Sequence, residues 1–135
     1  SLSGIQLKLD VATGASFRNQ VANSELTFFR GSWIADYADP ENYLSLFYSG
    51  NFSPYGPNYT HFSNPVFDSL YLSSFKVIDE KERYELYLDM DQLIMNEAPV
   101  VPLYYDQVVR FTHQGVVGLK SGSLNQLSLK RVSLK

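Results

Sequence analysis

Apolar and polar residues alternate near the start of the chain, and the period of this pattern then changes. Residues 5–9 carry Ile, Leu and Leu at every second position, which is the period of a half-buried strand. Residues 13–21 carry apolar side chains at helical spacing, with Thr13 or Ser16 as the candidate N-cap. Residues 25–33 contain a β-branched and aromatic run and predict a second strand. Strand, helix and strand in this order predict a βαβ unit with parallel strands and a right-handed crossover.

A short helix and a long loop are predicted next. Residues 41–48 carry apolar side chains in a short run that Gly50 ends. Asp39 and Pro40 stand just before this run, where an N-cap and a first helical residue are favoured. Residues 51–62 are rich in Gly, Pro, Asn and Tyr without periodicity, so we expect a loop. Loops of this length in compact domains are often functional.

Two amphipathic helices are predicted after that loop. Asn64 caps the first, with Pro65 behind it. The second opens at Asp79, with Glu82 in the capping-box position, and ends before Pro99. The side chains predicted to face inward are Phe67, Leu70, Tyr71 and Phe75 on the first helix, and Tyr84, Tyr87, Leu88, Ile94 and Met95 on the second, with Leu86, Met90 and Leu93 widening its stripe.

The last third of the chain is β-prone. Residues 100–112 predict a strand, although Pro102 keeps its first half off a central ladder position. Gly115 and Gly118 mark a turn, and residues 119–132 predict a last weak strand or an extended tail. The fold class expected from the whole pattern is therefore α/β, with a mixed sheet flanked by helices.

Composition narrows the function classes. The 135 residues, 44% hydrophobic and 19% charged, suffice for one core. A net charge of −3 gives no electrostatic footprint for nucleic acid.

The absence of cysteine excludes disulfides and thiol catalysis, and no apolar run approaches the ~20 residues of a membrane span. His61 and His113 lie far apart without ligand-like spacing, so we expect no metal. The sequence has no phosphate-binding Gly loop and no dinucleotide fingerprint, and we expect no cofactor. The ten tyrosines suit a wet cleft, an interface or the rim of a core.

Three ordered stretches carry a resemblance to a known family. Residues 33–44 have the sequence Trp-Ile-Ala-Asp-Tyr-Ala-Asp-Pro-Glu-Asn-Tyr-Leu, and residues 62–70 are Phe-Ser-Asn-Pro-Val-Phe-Asp-Ser-Leu. Residues 82–105 begin Glu-Arg-Tyr and end Glu-Ala-Pro-Val-Val-Pro-Leu-Tyr-Tyr. In order and approximate spacing these motifs resemble the extracytoplasmic solute-binding proteins of peptide ABC transporters, the oligopeptide- and dipeptide-binding family.

The resemblance implies a fold, a location and partners. Members have two lobes and several hundred residues, so this chain is expected to be a fragment of the C-terminal lobe of a type II periplasmic-binding-protein fold. Residues 1–106 would form part of the ligand-binding lobe, and residues 107–135 a return segment to the other lobe. The protein would be periplasmic or extracellular, and a lipid anchor to the membrane is compatible with the resemblance. It would capture a peptide or other small solute and deliver it to permease subunits, without catalysis.

The expected ligand-binding residues cluster around the first motif. In relatives, the aspartate that matches Asp36 holds the ligand's free α-amino group; turn capping or pairing with Arg30 are the alternatives. Trp33 would form a wall of the pocket, or else fill the core. The backbone from Gly31 to Ala35 would pair with an extended peptide by β-augmentation. Two tyrosines complete the expected set, Tyr37 and Tyr105, although Asp106 departs from the aromatic residue common in the family.

Two other function classes remain open from the residues alone. Paired carboxylates perform general acid–base chemistry, so a hydrolase using Asp36 with Asp39 or Asp68 is one alternative. The other is a structural or interaction domain with a tyrosine-rich surface.

Overall fold

The computed structural model describes Gly4, Gln6, residues 8–122 and residues 127–135. Four α-helices come first and four two-residue strands follow, so the described part of the chain is helix-rich with very little sheet. The helices are α1 (Gly14–Ala22), α2 (Glu41–Leu44), α3 (Pro65–Ser74) and α4 (Glu80–Glu97), with a single 3-10 turn at Ser49–Asn51, and the strands are β1 (Val116–Val117), β2 (Lys120–Ser121), β3 (Leu127–Ser128) and β4 (Ser133–Leu134).

One hydrophobic core holds α2, α3 and α4 together. Phe67 on α3 and Met90 on α4 are fully buried at its centre. The Phe47 and Phe62 rings meet edge to face with centroids 6.1 Å apart, an arrangement that aromatic quadrupoles favour. The core consists of Leu44, Phe47, Phe62, Phe67, Tyr71, Tyr87, Met90 and Ile94.

The predicted helix starts of α3 and α4 are confirmed. The Asn64 carboxamide oxygen accepts hydrogen bonds from the backbone N–H groups of Val66 at 2.8 Å and Phe67 at 3.2 Å. The Asp79 carboxylate accepts from the backbone N–H of Glu82 at 2.9 Å. These contacts satisfy donors that a helix's first turn leaves without an intrahelical partner. At α1 the helix itself is confirmed, but the Thr13 side chain makes no capping hydrogen bond.

The start of α2 differs in detail from the prediction. Pro40 occupies the N-cap position, and the helix ends at Leu44 instead of residue 48. The Asp39 carboxylate still accepts from the backbone N–H of Glu41 at 2.9 Å. It therefore satisfies a first-turn donor although it lies one residue before the N-cap position.

The inward face predicted for α4 is wrong in part. The buried residues Tyr87, Met90 and Ile94 follow the helical spacing of one stripe against α3. The apolar pattern around α4 is wider than this stripe, and position along the helix alone does not show which edge meets a neighbour. Of the residues predicted to face inward, those left exposed are Tyr84, Leu88 and Met95 on α4 and Phe75, the C-cap residue of α3.

The predicted mixed sheet and βαβ unit are absent from the described residues. Residues 25–33 and 100–112 form no strand, and neither do the described members of the first predicted strand, Gln6, Lys8 and Leu9. Ile5 and Leu7 lie outside the described residues. A strand exists only when a second strand supplies the other half of its hydrogen bonds. The described chain offers no such partner to these segments, whatever their local β-propensity.

The observed strands belong to the last twenty residues and pair only among themselves in the described chain. β1 pairs with β4, and β2 with β3, both antiparallel. The predicted turn contains Gly118 with φ +83°, and a Cβ there would stand 2.1 Å from the Arg131 carbonyl oxygen. Glycine is therefore required at this close approach. Residues 123–126, inside the last predicted strand, lie outside the described part.

Candidate functional site

A buried asparagine organises the loop that carries the first motif. The Asn42 carboxamide oxygen accepts from the Trp33 indole Nε1–H at 2.8 Å and from the backbone N–H of Asp36 at 3.3 Å. Asn42 is only 4% exposed, and Trp33 is half-buried against the same side chain. Asn42 thus holds two of the predicted ligand-binding residues, Trp33 and Asp36, next to each other.

Tyr37 lies in the same hydrogen-bonded group. Its hydroxyl donates to the Glu41 carboxylate. That hydrogen bond, with burial, raises the pKa of Tyr37, while a hydrogen bond from the Asn42 side chain acts in the opposite direction. Tyr37 is 47% exposed and keeps part of its ring at the surface.

Two carboxylates attach α2 and the preceding loop to the helical core. Glu41 also accepts from the Tyr71 hydroxyl on α3, and burial together with this bond raises the pKa of Tyr71. The Asp39 carboxylate lies 3.7 Å from an Arg83 guanidinium nitrogen on α4. Burial, and then the charge of Asp39, raise the pKa of Tyr87 to about 12. The loop is therefore fastened to α3 and α4 by contacts made on both sides of Pro40.

The Asp36 carboxylate is exposed and has no partner among the described residues. Arg30, proposed as its alternative partner, donates to the Tyr104 hydroxyl instead, and its guanidinium carbon lies 5.9 Å from the Tyr104 ring centroid. The pairing of Asp36 with Arg30 is therefore not observed. An unpaired carboxylate beside a fixed indole can accept from a cationic or N–H donor that approaches from solvent.

The backbone before Asp36 is also open. From Leu26 to Ala35 no backbone N–H or carbonyl bonds to another described residue. A Cβ at Gly31 would meet only the Phe29 ring edge at 3.6 Å, an ordinary contact. No internal crowding demands glycine there, so the space in front of this backbone is accessible. Ala35 is half-buried next to Asp36.

Tyr105 is not brought to this group by any contact in the described chain. It is 97% exposed, whereas its neighbour Tyr104 contacts Arg30. The structure therefore connects Tyr104, rather than Tyr105, with the segment that carries Trp33 and Asp36.

The carboxylates proposed as catalytic partners of Asp36 already have structural bonds. Asp39 accepts from the Glu41 N–H and faces Arg83. Asp68 accepts from the Ser49 backbone N–H at 3.0 Å and from its hydroxyl at 2.5 Å. Both side chains hold neighbouring turns in place, which does not favour the hydrolase alternative.

Other features of the described residues lie elsewhere. No group of three or more metal-ligating side chains is arranged around a possible ion in the described ranges. Among the helices described, none combines the length and apolarity needed to cross a membrane. A surface cavity of about 330 Å³ shares no residue with the first motif; it is lined by Val108, Arg110, Thr112, Val116, Gly118 and Leu119.

Sequence reasoning missed the residues that hold the site, above all Asn42, Glu41 and Tyr71. Asn42 had one available signal, because a polar residue on the inner side of a short helix needs buried partners. Those partners come from nine and six residues earlier in the chain. No periodic pattern could identify contacts at these separations.

Several curated proteins are similar to most of this chain. The dipeptide-binding protein DppE of Bacillus subtilis is 29% identical over 127 residues, which cover 94% of this chain and 23% of that protein. The periplasmic oligopeptide-binding protein OppA of Salmonella typhimurium is 28% identical over 102 residues, which cover 76% of this chain and 18% of that protein. Heme-binding protein A of Haemophilus influenzae is 32% identical over 90 residues, which cover 66% of this chain and 16% of that protein.

No protein-family model matches the chain. Each of the three relatives is named as a binding protein, which supports binding rather than catalysis. The chain spans less than a quarter of the length of each of them. These relatives confirm the resemblance carried by the three motifs: most of this chain is similar to part of a dipeptide-binding protein and part of an oligopeptide-binding protein.

Proposed function

We propose that this chain forms part of the ligand-binding region of a transporter's solute-binding protein, and that its ligand is a peptide with a free amino terminus. The Asp36 carboxylate carries this proposal. It is exposed and unpaired among the described residues, while the indole and backbone beside it are held by Asn42. A carboxylate so placed forms strong charge-assisted hydrogen bonds with an ammonium group.

The neighbouring groups would contact the rest of the peptide. Trp33 offers the part of its ring that is not buried, and the unbonded backbone from Gly31 to Ala35 offers donors and acceptors to an extended main chain. Recognition through the main chain is indifferent to ligand side chains. Broad specificity follows, which agrees with relatives named for dipeptides and for oligopeptides.

The complete protein would work as a hinged clamp. Residues 1–106 would belong to the C-terminal lobe and residues 107–135 would return to the other lobe, so that the ligand is enclosed between lobes and presented to permease subunits. Export to the periplasm or cell exterior is proposed because the Salmonella relative is periplasmic. A lipid anchor is compatible with this location.

The experiment replaces Asp36 in the complete protein that contains this chain. Asp36→Asn keeps the side-chain size and removes the charge. We expect affinity for tri-alanine, measured by isothermal titration calorimetry, to fall by roughly 10- to 100-fold, since a hydrogen bond to a charged group contributes about 1.5–3 kcal/mol. N-acetyl-tri-alanine has no ammonium group and should show a much smaller change.

The matched control is Asp89→Asn on α4. Asp89 is exposed and lies outside the first motif, and its replacement changes the net charge equally. It should leave both affinities as in the unmodified protein. Equal losses for the free and acetylated peptides in Asp36→Asn would remove Asp36 from the role of amine anchor.

A further inference from the structure

We infer that Asn42 is a positioning residue for the ligand site: its single carboxamide fixes the Trp33 ring and the Asp36 backbone in one geometry. This inference rests on the proposed function and adds to it a residue that contacts no ligand. Two members of the motif donate to its carboxamide oxygen, Trp33 through its indole N–H and Asp36 through its backbone N–H.

The chemistry of its partners determines the orientation of the carboxamide. The indole Nε1–H and the backbone N–H of Asp36 are donors only, so both must meet the oxygen of Asn42. If the carboxamide were reversed, its NH₂ group would face two other N–H donors, and no hydrogen bond could form between them. Asn42 is almost inaccessible to water, so solvent could not replace the lost bonds. The two donors therefore allow only one orientation of the carboxamide.

The anchor is itself held by the core. Asn42 lies within α2, its backbone carbonyl accepts from the Ser45 hydroxyl at 2.9 Å, and α2 is fastened to α3 through Glu41 and Tyr71. Displacing the Asn42 side chain would leave buried polar groups without partners, which is costly. The geometry of the loop is thus connected to the helical core through one buried amide.

Such an anchor reduces the cost of binding. The Asp36 carboxylate has no contact of its own in the described chain, so its position follows the backbone that Asn42 holds. Without the anchor, the loop would have to be ordered when the ligand binds, and this entropy would be lost from the affinity. The expected result of removing the amide is weaker binding with the ligand-contacting groups unchanged.

The first experiment uses the fact that Trp33 is the only tryptophan of this chain. Its indole N–H gives one tryptophan side-chain signal in a ¹⁵N–¹H NMR spectrum of the 135-residue chain. In the unmodified chain this proton should exchange slowly with solvent. In Asn42→Leu the acceptor is gone, and we expect exchange at least roughly tenfold faster. Asn42→Asp keeps an acceptor oxygen and should retain slow exchange.

A matched control separates positioning from general loss of stability. Asn58 is also a buried asparagine, and its amide nitrogen bonds to the carbonyls of Tyr48 and Phe62 in the loop after α2. Asn58→Leu should destabilise the fold while leaving the Trp33 indole signal and its exchange in the folded state unchanged. Fast indole exchange in the unmodified chain overturns the inference without any variant.

The second experiment measures tri-alanine binding in the complete protein. We expect Asn42→Leu to weaken affinity about tenfold, the equivalent of one hydrogen bond's net contribution. If indole exchange accelerates but affinity does not change while Asp36→Asn still weakens binding, the positioning role is wrong and the proposed function stands. If neither variant affects binding, the proposed function itself is wrong.

Discussion

Residues 36, 39 and 41 are three carboxylates within six positions, and each has a different environment. Asp39 accepts from a helix N–H and faces Arg83. Glu41 accepts from the hydroxyls of Tyr37 and Tyr71. Asp36 alone is exposed and unpaired within the described chain. Asp39 and Glu41 make hydrogen bonds that hold the fold, whereas the Asp36 carboxylate is free to accept a hydrogen bond from a ligand.

The raised tyrosine pKa values predict a loss of stability at alkaline pH. Tyrosine ionises near pH 10 in an unfolded chain, whereas the pKa of Tyr87 rises to about 12 and that of Tyr71 is raised further by burial and Glu41. The unfolded state therefore loses these protons first as pH increases. The free energy of unfolding should be insensitive to these groups below pH 10 and fall between pH 10 and 12. Urea denaturation followed by circular dichroism measures it.

Replacing Tyr71 tests the origin of this loss. Tyr71→Phe removes the hydrogen bond to the Glu41 carboxylate and should cost about 1.5–3 kcal/mol at neutral pH. The same change should make the decline between pH 10 and 12 shallower, because one titrating group is gone. Tyr55 is fully exposed, so Tyr55→Phe serves as the control and should alter neither quantity. An unchanged alkaline slope in Tyr71→Phe would contradict the assignment.

At the scale of elements, the helices follow local signals closely. Asn64 and Asp79 each accept from first-turn N–H groups, as the sequence predicts. Which apolar residues of α4 face the core depends on where the neighbouring helix packs, since Leu88 and Met95 are apolar yet exposed. Helix position is thus a local property, while helix orientation depends on packing.

The cap of α4 provides a quantitative test. Asp79→Ala removes the acceptor for the Glu82 N–H and should lower the free energy of unfolding by about 1 kcal/mol. Thr13→Ala at the start of α1 is the control, because Thr13 makes no capping hydrogen bond, and we expect almost no change. Urea denaturation should show a lower midpoint for the first variant with an unchanged slope. Equal effects of the two substitutions would contradict the capping role of Asp79.

At the scale of the whole molecule, a small helical core carries long segments that form no strand among the described residues. Residues 26–35 and 99–112 form no ladder in the described chain, and many of their apolar side chains are exposed, including Phe28, Ile34, Leu103, Tyr105 and Phe111. The relatives are more than four times as long as the portion that matches this chain. The proposed clamp requires a second lobe to complete the ligand site.

This arrangement predicts weak binding by the 135-residue chain alone. Because closure of the two proposed lobes would supply much of the contact with ligand, we expect isothermal titration with tri-alanine to show no micromolar affinity for this chain. The complete protein under the same conditions is the control and should bind measurably. Micromolar affinity of the 135-residue chain would contradict the two-lobed site.

The sequence by itself determined the four helices, two of their caps, the turn at Gly118 and the relationship to binding proteins. These features depend on neighbouring residues or on motifs that are contiguous in the chain. Only the tertiary structure decided that residues 25–33 and 100–112 lack strand partners, which side of α4 is buried, and that Asn42 joins Trp33 to Asp36. The physical reason is the same in each case: a ladder, a packed face and a buried amide all require a partner that local sequence does not specify.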